Sequence, residues 1–255
     1  MTGENLQRET DAVTTLLLSM GDDEFVTGHR MSYWVSRGPS IEEDNAVSSI
    51  VQDELGHARL WFEVLTERAD VSLVELAVER PAERRRNTVL AEPAYAGFGD
   101  LVVRNFLYDE AERLLVEAVH GGDDDVLADR AGVVLNEEPY HREHAALWLD
   151  RLTASDEGVN RLTRAFDTNV SHATDYFAFE ESVASTLESE GVVDRAFDDL
   201  RREWTDRVVE QVRTLGLELE RSPRELVAAA PTTNGRLGEH TDELTAMTRQ
   251  NLTVY

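Results

Sequence analysis

The chain has 255 residues, 41% of them hydrophobic, which suffices for one large domain with its own core. It carries 51 acidic residues against 25 basic ones, all arginine, for a net charge of −26, and it has no cysteine. That balance excludes a nucleic-acid-binding protein, which needs a basic patch against phosphates. The missing thiols exclude disulfides and thiolate metal sites.

Apolar residues recur at helical spacing almost throughout, with no strand alternation. The opening "MTGENLQRET" has no basic segment followed by an apolar one, so no signal peptide is expected. The first helix is expected from about Leu6 to Val35, stopping near "SRGPS". Its apolar run "TTLLLSM" is far short of the roughly 18 residues of a membrane span, so no membrane partner is expected. The second helix opens at "SIEE", where Ser40 and Glu43 form a capping box, and runs to about Ala69. A polar, arginine-rich segment, residues 78–97, links it to a third helix from about Phe98 to His120, which ends at Gly121-Gly122. The fourth runs from about Asp124 to Thr153 with Pro139 inside it. A fifth is expected over Val159 to Ser189 and a sixth over Val193 to Leu215, before a loose tail, 216–255, with a short helix from Thr241. Long helices joined by short breaks predict an all-α, up-and-down helical bundle: a single domain over 1–255, with four core helices within about 6–153 and additional helices at about 159–215.

The informative residues are ionisable groups on apolar stripes. The second helix reads Val47, Ile50, Glu54, His57, Trp61, Leu65; the fourth reads Leu127, Val134, Glu138, His141, Ala145, Trp148. Each sets a carboxylate and an imidazole one turn apart, facing the core. In the first helix Glu24 interrupts the stripe Leu17, Met20, Gly28, Met31. In the third, "RNFLYDEAERLL" offers Asp109 or Glu110, and periodicity does not choose between them. Buried charges need partners or a metal. Two Glu-x-x-His helices plus two helices giving one carboxylate each form the ligand set of a carboxylate-bridged two-metal site. Glu24 precedes Glu54 by 30 residues (54 − 24) and Asp109 precedes Glu138 by 29 (138 − 109), as if one hairpin were used twice. Oxygen and imidazole donors without thiolate suit iron or manganese. The competing reading is a bundle of ion-paired buried acids. His29, His144, Glu137 and Glu110 are read as surface or supporting groups, the four tryptophans as core, and Gly28 with Thr27 as space for a substrate.

"MGDDEFVTGHRMSYW", "IEEDNAVSSIVQDELGHARLWFEVL", "RNFLYDEAERLLVEAV", "EEPYHREHAALWLDRL" and "GRLGEHTDELTAM" together resemble the phenylacetyl-CoA epoxidase (phenylacetate-CoA oxygenase) family of ferritin-like PaaA/PaaC subunits, over nearly the whole chain. The first and last of these segments look most like the C type. The resemblance implies a ferritin-like bundle in a multicomponent, ring-epoxidising monooxygenase of phenylacetate catabolism. It also implies an aromatic acyl-CoA and O₂ as substrates, A-type and other subunits as partners, and a separate reductase, since this chain has no nucleotide-binding glycine fingerprint. One oxygen goes to the ring and the other leaves as water. C-type subunits are usually structural and often read Leu-Leu-Gly-Gln where this chain reads Glu54-Leu55-Gly56-His57. Here the A-type set is retained: Glu24, Glu54, His57, Asp109, Glu138 and His141, with the resemblance choosing Asp109 over Glu110. The expected cofactor is two iron ions, or manganese. The rival readings are a non-catalytic scaffold subunit with a vestigial site and an iron-handling ferroxidase. A radical-generating subunit, with Tyr140 as nominal radical site, is a fourth. The dispersed acidity points to the cytoplasm of a salt-accumulating organism. Pro139, between Glu138 and His141, is expected to kink the helix or widen a turn so that both side chains aim at one point.

Overall fold

The computed structural model describes residues 11–81 and 84–229; the tail from 230, with its expected helix, lies outside the described residues. Among them the chain is helical, with no strand. It divides into two compact units: one of described residues through Pro93 together with 185–187, the other of 94–184 and 188–229.

The first unit is built on two helices packed against each other, α1 (Ala12–Ser32) and α2 (Ile41–Arg68). Asp11 starts α1 by accepting a hydrogen bond from the Thr14 amide at 2.7 Å, and Ser40 starts α2 by accepting one from Glu43 at 3.2 Å. Such caps satisfy amide donors that a helix start leaves open. The stripes converge in the core, where Leu16, Leu17, Met20, Ile50, Trp61 and Leu65 are buried. Gly28 permits the close approach: a Cβ there would lie 3.0 Å from Glu54 Cβ and 3.2 Å from Leu55 Cγ. This glycine therefore lets two helices touch; it does not leave room for a substrate. A Cβ at Gly21 would meet the Phe62 ring at 2.4 Å.

The arginine-rich linker is a covering layer of this unit. It forms a π turn (Glu75–Glu79) and a 3₁₀ turn (Val89–Ala91), and buries Arg80, Arg85, Asn87 and Glu92. Asp22 pairs with the Arg80 guanidinium, lies 3.5 Å from Arg85 Nη1 and accepts the Arg86 amide at 2.7 Å. Asp23 accepts the Thr88 amide at 2.6 Å and its hydroxyl at 2.9 Å. Arg30 Nε donates to the Glu92 carbonyl at 2.7 Å.

In the second unit α3 (Phe98–His120) packs on α4 (Asp125–Leu152), α5 (Asp156–Asn169) and α7 (Phe197–Thr214), so almost its whole surface is buried. The expected fifth helix is interrupted. After α5 come a 3₁₀ segment (His172–Phe177) and a separate α6 (Glu181–Ser189); α8 (Pro223–Ala229) follows α7. Two forces cause the break. Asn169 turns its amide to Asp100 at 2.6 Å, and Thr174 bonds the Ser171 carbonyl, local contacts that compete with a helix ladder. Tyr176 then packs edge-on against Tyr108 and Phe177 tilts toward Trp204, whose indole N–H donates to the Leu107 carbonyl at 3.0 Å. Trp61 and Trp204 are core as expected, while Trp34 and Trp148 are half-buried.

Candidate metal centre

Each unit carries one acid and one Glu-x-x-His pair. In the first, Glu24 projects from α1 and Glu54 and His57 from α2; all three are 1% exposed. His57 Nδ1 lies 3.6 Å from Glu24 Oε2, so α1 and α2 together bring an imidazole against a carboxylate. Glu54 stands where Gly28 admits α2 against α1.

In the second unit Asp109 projects from α3 and Glu138 and His141 from α4; all three are buried. His141 Nδ1 lies 3.4 Å from Glu138 Oε1, one turn back on the same helix. Burial, then the Glu138 carboxylate, holds the Asp109 carboxyl well above the ordinary carboxylate range, with His141 and Arg142 opposing and Glu110 reinforcing the shift. Asp109 Oδ2 accepts no hydrogen bond among the described residues. Carboxylates crowded out of water with imidazoles beside them suit a divalent cation, which would supply positive charge and accept both kinds of donor.

The residues set aside take other roles. Glu110, adjacent to Asp109, meets arginine instead: Arg142 at 2.9 Å, Arg113 at 3.4 Å and Arg207 at 3.6 Å. Glu137 is exposed, His29 is half-buried beside Phe25 and Tyr33, and His144 is buried. Tyr140, the nominal radical site, is 48% exposed. Pro139 lies on the exposed side of α4, and the α-helix continues through it without a widened turn. Glu138 and His141 lie one turn apart on this continuous helix. Periodicity did not single out Glu112, which is fully buried one turn beyond Asp109. Its one signal in the sequence is the Asp-x-x-Glu spacing. Glu24, Glu54, His57, Asp109, Glu112 and His141 are each a buried donor that could ligate a metal ion.

No helix among the described residues is long and apolar enough to cross a membrane. A family model described as "Phenylacetic acid catabolic protein" matches residues 2–254. The chain is 27% identical over 239 residues to the C subunit of the 1,2-phenylacetyl-CoA epoxidase of Escherichia coli (strain K12), covering 92% of each sequence.

Proposed function

The chain belongs to the phenylacetic acid catabolic protein family of ferritin-like bundles, and from that premise we propose that it is a metal-holding subunit of a multicomponent phenylacetyl-CoA 1,2-epoxidase. The observation that carries the reading is the paired set of buried triads: Glu24, Glu54 and His57 in one hairpin, and Asp109, Glu138 and His141 in the other. In this reading the carboxylates and imidazoles of the two triads would hold two iron ions. Manganese would fit the same donors.

Bound iron would supply the redox chemistry of O₂ reduction; the chain supplies the rest. The two imidazoles would give nitrogen donors, each beside a carboxylate one turn or one helix away. The apolar stripes around the triads keep water out. Electrons come from a separate reductase, and an aromatic acyl-CoA is the substrate. The complex works in the cytoplasm beside an A-type subunit. The second reading, a scaffold subunit that holds no metal, draws on the likeness to a C-type subunit.

Metal analysis after anaerobic iron loading separates the two. The expected content is near two irons per chain, lost in Glu54→Ala and in His141→Ala while the helical circular dichroism persists. Wild-type protein that retains no metal sinks the metal-holding reading and leaves the scaffold.

A further inference from the structure

Along α4, Val126, Val133, Tyr140 and Leu147 are 47%, 43%, 48% and 64% exposed. They follow one another at intervals of seven residues. Leu127, Val134, His141, Ala145 and Leu149 of the same helix are buried, so the core is already served by another face. Four large apolar side chains remain in one exposed line. The line spans 147 − 126 = 21 residues, about 31 Å of helix at 1.5 Å per residue.

The period identifies the kind of surface that fits. Seven residues fall about 20° short of two turns, so the line drifts slowly around the helix. Over its three heptads the line turns by about 60°, so a flat surface cannot meet both ends of it equally. A second helix, crossing at about 20°, follows it throughout. The borders differ in charge. One carries Asp129, Asn136, Glu143 and Asp150, all exposed; the other carries Arg130, Glu137 and Arg151.

We propose that this line is the docking seam for a long amphipathic helix of a different polypeptide. That helix sets heptad-spaced apolar residues against the four side chains and arginines or lysines against Asp129, Glu143 and Asp150. A second copy of this chain is a poor occupant. Antiparallel pairing lays one acidic border along the other, and each copy brings a net charge of −26. The proposal rests on the reading that the chain is one subunit of an assembly, and it says which face that assembly uses.

Photoreactive benzoylphenylalanine in place of Tyr140, and separately of Leu147, in the full chain expressed in its native host, tests the seam. Irradiation is expected to join a different polypeptide, through a peptide with heptad-spaced apolar residues and a basic edge. With the photoreactive group at Val133, the double substitution Tyr140→Glu/Leu147→Glu is expected to lower the adduct yield by about tenfold or more, with helical circular dichroism unchanged. An adduct of two copies overturns the proposal. So does silence at 140 and 147 while the same group at Ile41 captures a partner, a result that leaves the subunit reading standing. No adduct at any position, with a purified protein of single-chain mass, removes both.

Discussion

At the scale of single residues, three consecutive acids on α1 have separate duties. Asp22 and Asp23 hold the linker, while Glu24 belongs to the buried triad. The stripe of α1 made Glu24 legible, because a carboxylate among Leu17, Met20 and Met31 has no simple reason to be there. The linker clamp was not legible. Its partners lie about sixty residues apart, and an arginine-rich stretch reads as solvated surface until the chain is folded. Asp22→Ala is expected to destabilise the protein by about 3–5 kcal/mol in denaturant unfolding, since it leaves the buried Arg85 guanidinium without its counter-charge. Burial already pushes Arg85 below the usual guanidinium range, with Asp22 opposing that shift. Breaking the exposed Arg59–Glu63 pair is the control, with an expected cost of about 0.5 kcal/mol or less. Equal losses in the two variants would refute the clamp. Asp109 and Glu110 teach a similar lesson: adjacent acids differ in role because only one is met by three arginines, a fact of tertiary packing that spacing does not carry.

At the scale of elements, starts were legible where a side chain caps the helix. Ser40 caps as expected, and Asp124, near the expected start of the fourth helix, accepts the Val126 and Leu127 amides at 3.1 Å. The interruption after Asn169 was not legible, because aromatic docking on Tyr108 and Trp204 decides it and local propensity does not. Pro139 was conspicuous in sequence, and the expected widened turn is absent. The helix is continuous through it, and there the proline costs one backbone hydrogen bond. Pro139→Ala is therefore expected to raise the free energy of unfolding by about 1–3 kcal/mol, by restoring a hydrogen bond to the Leu135 carbonyl. Metal content per chain is expected to stay the same. A variant that gains stability but loses metal would return the proline to the site.

Across the whole molecule, two features were legible in sequence. One is the repeated plan of an acid-bearing helix followed by a Glu-x-x-His helix; each unit holds one copy as a packed hairpin. The other is charge. At −26, self-repulsion opposes the folded state at low salt, when the Debye length is about 10 Å at 0.1 M, and is screened to about 3 Å at 1 M. The thermal midpoint is expected to climb by several degrees between those two potassium chloride concentrations, measured by calorimetry on metal-free protein. A flat or falling midpoint would show that the acidity does not govern stability. Surfaces were the least legible level. Val133 and Leu147 resemble any other apolar residues of a helical stripe until the fold shows that the core lies on the other side.

The clamp on α1 has a consequence for proteolysis. The chain has no lysine, so trypsin can cut only after arginine, and residues 80–86 contain four of them. A protease must draw its substrate out as an extended strand. Here Arg80 and Arg85 are buried, and the Arg86 amide is bonded to Asp22. Cleavage after Arg85 therefore requires the linker to peel away from the helix that bears Glu24, whereas Arg84 is exposed. The rate of cutting after Arg85 becomes a gauge of local opening in the first unit and reports how often that covering layer lifts.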